Sequence, residues 1–311
     1  MSSLRQQHGT ALLLALLIMA LASILLLHIQ QRLALDLARS ESLAASLRAT
    51  AYVAGLEALA GKALREDQDR EPELDSSNSP WAQQLPALPI PGGVVSGTLT
   101  SLDGRFNLNA LIDSNGEDDP AARQMLERLL ANLALPAMLA DRIHDWIDRD
   151  NIPRPQGAED QFYLSQQQPY LSANQPLAHF SELLLIGGMD AETLQILQPH
   201  VSVLPAQRRR INVNLATVPV LMALSPLISE QMANELHQQG RAAWRSVAEF
   251  QSAPLLQGLD TSALNGRIAV ISNFFSARML VLQNGLPRRY EALLQRNGRS
   301  YTVLWRHATL P

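Results

Sequence analysis

The chain has 311 residues, room for one large or two modest domains beyond a single apolar segment near its start. It contains no cysteine, which excludes thiol catalysis and thiolate metal sites and leaves stability to core burial or a bound metal; hydrophobic residues make up 47%, sufficient for such a core. The formal net charge of −4 argues against a dedicated nucleic-acid binder, which is usually basic. In chain order, the polar stretch Met1-Ser2-Ser3-Leu4-Arg5-Gln6-Gln7-His8 ends at Gly9 and an apolar run starts at Thr10. From Thr10 to Gln31 there is no Asp, Glu, Lys or Arg, and about 20 residues at about 1.5 Å each span a bilayer core. Arg5 favours a cytoplasmic N-terminus, against which Arg32 and Arg39 weigh on the far side.

A secretory signal peptide puts its small-residue cleavage site after the apolar segment, so that the segment is discarded. Here the glycine lies before it, and cleavage after Gly9 would leave a mature chain that begins with its membrane helix. That arrangement resembles the class III leader of type IV pilins and type II secretion pseudopilins. An ordinary N-terminal anchor carrying a glycine is the alternative.

Helical spacing continues past the bilayer. Leu33, Leu37, Ala44, Leu47, Ala51, Ala54 and Ala58 recur at steps of three, four and seven. Span and stripe together predict one helix of roughly fifty residues, fading at Glu66-Asp67-Gln68-Asp69. Five prolines between Pro72 and Pro91, then Gly92-Gly93, predict a loop. Val94 to Asn109 reads as a hairpin turning at Asp103-Gly104. From Asp113 to about Gly266 the pattern is helical. Strands return at Ile268–Val270, Ser276–Gln283, Arg288–Gln295 and Tyr301–Arg306, with turns at Asn284-Gly285 and Asn297-Gly298. Because isolated hairpins are rarely stable, the expected fold is one α+β domain in which a helical block interrupts an antiparallel sheet.

The densest polar constellation is Asp141 to Asp150, followed by Pro153, Pro155, Gly157 and Ala158-Glu159-Asp160. Asp141, Asp145 and Asp148 share one helix face, where like charges repel unless a cation is shared. Oxygen ligands from a helix end and a returning loop suit Ca²⁺; a solvated acidic face, partly neutralised by Arg142, Arg149 and Arg154, remains the alternative. No EF-hand is present, since Asp113-Ser114-Asn115-Gly116 has its glycine early and Gln124 stands at the twelfth position.

Ile211-Asn212-Val213-Asn214 and the apolar positions through Phe250 resemble a helix-hairpin-helix unit, with Phe180 to Leu197 as a related half. DNA-binding versions have a Gly-rich hairpin, whereas the matching turn here, Ser225-Pro226-Leu227-Ile228-Ser229, lacks glycine and contains a proline without an N–H. The unit therefore reads as a packing module rather than a DNA clamp. No catalytic motif is present: there is no G-x-S-x-G, P-loop or G-x-G-x-x-G, so no catalytic residue is expected.

Taken in order, the leader ending at Gly9, Asp103 to Asn109, Asp145 to Asp150, Gly157 to Asp160 with Tyr163 and Tyr170, Glu182-Leu183 with Gly188-Met189, and Ile211 to Asn214 resemble the K-class minor pseudopilins of the type II secretion system (the GspK family). The resemblance covers essentially the whole chain. It implies a pseudopilin fold, a long N-terminal helix on a small antiparallel sheet, with a large all-α domain inserted between strands. The implied segments are leader 1–9, transmembrane helix 10–31, periplasmic helix 32–66, sheet domain 67–112 with 267–311, and inserted domain 113–266.

The same resemblance implies cleavage by the prepilin peptidase after Gly9, methylation of Thr10, and structural Ca²⁺ held by Asp145, Asp148, Asp150, Glu159 and Asp160. Thr10 departs from the Met or Phe usual at that first mature position. Pilins carry a glutamate at the fifth mature position, thought to pair with the terminal amine of a neighbouring subunit; here that position is Leu14. A chain without that carboxylate suits the first subunit, at the tip. The implied partners are I- and J-class minor pseudopilins and the inner-membrane assembly platform, with no nucleic acid. The implied location is the bacterial inner membrane, single-pass, with the bulk in the periplasm. The contrasting expectations are a membrane-anchored DNA receptor of the competence type and a metal-dependent hydrolase.

Overall fold

A computed structural model describes residues 4–309 apart from Leu85 and Ser114, with the side chains of residues 4–9 also outside the description. Met1 to Ser3 of the expected leader lie outside the described residues. The chain divides into two units that meet in sequence after Gly55. The N-terminal unit is helical: helix α1 runs Leu4–Arg70, and every residue from Thr10 to Gln31 is exposed. Among the described residues α1 is the one helix long and apolar enough to cross a membrane. It extends past Glu66, where the sequence predicts fading, and stops two residues before Pro72, which cannot continue a helix.

The second unit is built on a five-stranded sheet in the order β1 (Leu88–Ile90), β2 (Gly93–Ser101), β7 (Phe274–Gln283), β8 (Leu286–Asn297) and β9 (Ser300–Thr309), antiparallel throughout. Between β2 and β7 the elements are β3 (Phe106–Asn107), α2 (Pro120–Asn132), α3 (Met138–Ile147), α4 (Asp160–Leu164), α5 (Ala191–Leu197), β4 (Val201–Ser202), β5 (Ile211–Asn212), α6 (Val218–Leu224), α7 (Glu230–His237), α8 (Val247–Gln251) and β6 (Ile268–Ala269). A 3₁₀ turn at Phe180–Leu185 precedes α5.

The expected hairpin across Asp103-Gly104 is not formed. β2 pairs with β7 along its whole length, while β3 pairs in parallel with β4, and β5 likewise with β6. Neither Asp103 nor Gly104 has the positive φ that a type I′ turn requires. The reason lies in the carboxylate: fully buried Asp103 accepts the N–H groups of Asn273 and Phe274 at 2.6 and 2.7 Å and lies 2.5 Å from Arg208 Nε. Asp103 thereby pins the start of β7 beside the end of β2 rather than turning the chain. The predicted strand at Ile268–Val270 joins β5, not the large sheet. The Asn284-Gly285 turn has the expected form, with φ of 51° and 76° at its two central residues. The second turn is shifted by one: Asn297 pairs with Ser300, so Gly298 and Arg299 are central and the positive φ falls on Gly298.

The last turns of α1 lie on β8 and β9. Gly61 faces the Tyr301 ring so closely that a Cβ would not fit, and Glu57 receives Arg306 Nε at 2.6 Å. Tyr301 and Arg306 have opposite parity; both reach α1 because the register shifts between Leu293 and Leu294 and leaves Leu304 unpaired, a bulge that reverses the alternation. Buried Arg296 bridges Asp67 of α1, at 3.1 Å, and Asp75. Trp81 packs edge-on against Phe275 with centroids 5.0 Å apart. The main apolar core lies among the helices between β2 and β7, around Leu126, Leu129, Leu139, Ile143, Tyr163, Leu221 and Phe250.

Candidate metal centre

Helix α3 ends at Ile147, and Asp148 caps it with an extended backbone (φ −74°, ψ 175°). The loop that follows, stiffened by Pro153 and Pro155, turns at Arg154–Gly157, where the Gly157 N–H donates to the Arg154 carbonyl at 3.0 Å, and returns at Glu159, the residue capping α4. This return brings Asp145, Asp148 and Glu159 together, all buried, with one carboxylate oxygen of each within 4.8 Å of the others. Gly157 is required there, because a Cβ would occupy the position of the Asp145 carboxylate.

The three acids are incompletely satisfied. Asp145 Oδ2 accepts the Arg154 N–H at 3.1 Å, but Asp145 Oδ1, Asp148 Oδ1 and Glu159 Oε1 are buried without a hydrogen-bond partner. Arg154 Nε approaches Asp145 Oδ1 only to 3.5 Å. Burial, followed by the charges of Asp150 and Asp145, pushes Asp148 up to about 7. Burial, with Asp148 and Asp145, does the same to Glu159, also to about 7. Asp145 is raised as well, chiefly by burial. Three buried carboxylates with orphaned oxygens form an arrangement that a hard cation relieves and that protons relieve only by neutralising the acids. An all-oxygen donor set of this kind fits Ca²⁺.

The other expected ligands lie apart from this trio. Exposed Asp150 accepts the Ile152 N–H at 2.8 Å and acts on the centre through its charge. Asp160 Oδ1 is taken by the Ser172 N–H at 2.9 Å and hydroxyl at 2.7 Å. Asp141, expected on the same helix face, is drawn off by Arg123 at 2.5 Å and the Gln156 N–H at 3.1 Å. The sequence reading missed the partner of His144: Asp118 lies 2.8 Å from its Nε2 and 2.5 Å from Arg154 Nη2. Burial works to raise Asp118, but the hydrogen bonds from Arg154 and His144 outweigh it and hold its carboxyl low. No spacing rule connects Asp118 with Arg154 across the intervening helices.

The helix-hairpin-helix segments pack inward. Asn212 donates to the Asp75 carbonyl and to Ser272 Oγ at 3.1 and 2.9 Å, and Asn214 exchanges hydrogen bonds with the backbone of Trp244 at 2.8 and 3.0 Å. In the basic run, Arg208 is committed to Asp103 and Arg209 to Asp119 at 2.9 Å, where Arg267 also binds. These guanidiniums neutralise internal acids rather than forming a phosphate-binding patch.

An apolar N-terminal helix and an antiparallel sheet are the parts from which a structural subunit of the pilin-like class is built. Two family models described as Type II secretion system (T2SS), protein K, match residues 104–206 and 211–270, together more than half of the chain. The type II secretion system protein K of Klebsiella pneumoniae is 37% identical over 97% of this chain and 96% of its own length; that of Pectobacterium carotovorum is 31% identical over the same shares. Among solved structures, the crystal structure of the GspK-GspI-GspJ complex from the enterotoxigenic Escherichia coli type 2 secretion system contains a chain similar at TM-score 0.77 and 31% identity, covering 88% of this chain and all of that one. The chain belongs to the type II secretion system protein K family. It is a minor pseudopilin, a structural part of the secretion machinery and not an enzyme; the DNA-receptor alternative gains no support.

Proposed function

We propose that this minor pseudopilin stands at the tip of the pseudopilus, where it joins I- and J-class minor pseudopilins and starts filament assembly for export of folded proteins. The observation that carries this reading is Leu14, an apolar residue where pilins place the glutamate that receives a neighbouring subunit. Its likeness to a chain crystallised in a GspK-GspI-GspJ complex adds support for the partners. In this reading the prepilin peptidase cleaves after Gly9, Thr10 becomes the methylated N-terminus, and α1 spans the inner membrane with the bulk of the chain periplasmic, the assembly platform being met at the membrane. Residues 113–266 act as an α-domain inserted into a pseudopilin fold.

Asp145, Asp148 and Glu159 hold Ca²⁺ in this reading, with Asp150 in the loop after α3 and Asp160 at the start of α4 outside the trio. Bound there, the ion supplies the positive charge that three buried acids lack and ties α4 to the end of α3. Gly157 keeps the Asp145 carboxylate in place, and Arg154 orients it through its backbone N–H. Co-expression with I- and J-class partners followed by gel filtration should give a complex, and failure to bind either would sink the tip assignment. EGTA should lower the melting temperature of the chain by about 5–10 °C, the linkage expected of a site kept well above its dissociation constant. An unchanged melting temperature would remove the Ca²⁺ assignment.

A further inference from the structure

A second cluster of ligating side chains lies away from the acidic centre, in a cavity of about 250 Å³. The antiparallel register sets Glu291 of β8 opposite His307 of β9. His179, at the start of the 3₁₀ turn, approaches from the helical side, and one ligating atom of each of the three lies within 4.8 Å of the others. The two imidazoles meet edge to face with centroids 4.7 Å apart, and Trp305 packs against both at 5.3 and 5.0 Å. All three ligating residues are half-buried.

The hydrogen bonding leaves each residue an open ligand position. His179 Nδ1 accepts the Ser181 N–H at 3.2 Å and lies 2.8 Å from the Ser181 hydroxyl, which leaves Nε2 without a hydrogen-bond partner among the described residues. A metal on Nε2 puts the proton on Nδ1, so binding would exchange the bond accepted from the Ser181 N–H for one donated to the Ser181 hydroxyl, the kind of outer-shell bond that orients most metal-bound histidines. Glu291 Oε1 accepts the Ser276 hydroxyl at 2.6 Å; among the described residues its Oε2 takes no hydrogen bond, and neither does the His307 ring. Two guanidiniums oppose a cation here. Arg278 lies 3.6 Å from Glu291 Oε1 and is more than half exposed, and Arg105 donates its Nη1 to the Gln198 carbonyl at 2.9 Å.

We propose that His179, Glu291 and His307 form a transition-metal site. Two imidazoles and one carboxylate are a borderline-soft donor set suited to Zn²⁺, with the fourth position facing the cavity. The ion would clamp β8 and β9 to the segment that opens the 3₁₀ turn, a cross-link in a chain without disulfides.

The test is calorimetric titration of the full-length chain in detergent with ZnCl₂, Ca²⁺ being saturating so that the acidic centre is filled. One equivalent of Zn²⁺ should bind. Loss of an outer-shell partner alone costs roughly tenfold in affinity, so His307→Ala and His179→Ala should each weaken binding by more than that. Glu291→Gln, which keeps the shape and the Ser276 bond, guards against misfolding of the alanine variants and should weaken binding similarly, while Asp148→Asn should leave it unchanged. X-ray absorption at the zinc edge should report two imidazoles. No uptake of Zn²⁺, uptake unaffected by His307→Ala and Glu291→Gln, or uptake abolished by Asp148→Asn would each overturn the proposal.

Discussion

At the residue scale the acidic centre turns on side chains whose roles differ although their types do not. Asp141 and Asp145 are one helical turn apart, yet Arg123 neutralises the first and the second is left with an orphaned oxygen. Gly157 supplies the sharpest test of the geometry. Gly157→Ala adds no charge and removes no ligand, yet its methyl group meets the Asp145 carboxylate. Its melting temperature should no longer respond to Ca²⁺, whereas a full wild-type response would show that Asp145 is not needed at the ion. A second titratable cluster is distinct. Burial, then the charge of Asp75, pushes Asp67 up to about 7 against the pull of Arg296. One guanidinium between two buried carboxylates leaves a net negative charge, which one proton cancels. A raised folded pKa favours the folded state while the group is protonated, so this contribution is present at acidic pH and lost as pH rises through about 7. With Ca²⁺ saturating, denaturant titrations at about pH 5.5 and 7.5 should show the wild type losing stability with rising pH and Asp67→Asn losing less. Equal slopes would remove Asp67 from the account.

At the element scale, the asparagines of the two short motifs act as cross-braces. Asn109 donates to the carbonyls of Leu177 and Leu204 at 2.8 and 3.0 Å and accepts the Leu177 N–H at 2.8 Å. Asn109→Ala strands these buried groups and should cost about 1–3 kcal/mol in chemical denaturation; a neutral result would mean that water replaces the amide. Local chemistry made much of the architecture legible. The charge-free run, the helical stripe and Asn284-Gly285 each act within a few residues, so α1 and the β7–β8 turn could be read directly. Gly157 to Asp160 was readable as a returning loop, but not which acids meet, because Arg123 and Ser172 decide that from distant positions. Asp103-Gly104 misled for the same reason: its sequence suits a tight turn, while its carboxylate is engaged by Asn273, Phe274 and Arg208. His179, Glu291 and His307 carry no motif at all, since a strand register and a loop from the helical side bring them together.

At the scale of the whole molecule, a chain with no cysteine has ion pairs and bound cations as its available cross-links. Several of the pairs join segments far apart in sequence, among them Asp103–Arg208, Asp119–Arg267 and Asp67–Arg296. Asp103→Ala should therefore destabilise more than an exposed aspartate would, by about 1–3 kcal/mol, because it leaves the buried Phe274 N–H, the part-buried Asn273 N–H and Arg208 without their acceptor. Equilibrium denaturation against wild type measures this, and a cost within about 0.5 kcal/mol, the range of ordinary surface substitutions, would contradict it. The pairing of β2 with β7 also has a temporal consequence. Asp103 and Phe274 are 171 residues apart in sequence but in direct contact. β7, β8 and β9 can zip locally through two short turns, whereas β2, made first, waits for nearly all of the remaining chain before it finds its edge. During synthesis the β2 edge that β7 will take is thus an open template, exposed to wrong neighbours until residues 274–283 emerge near the end of the chain.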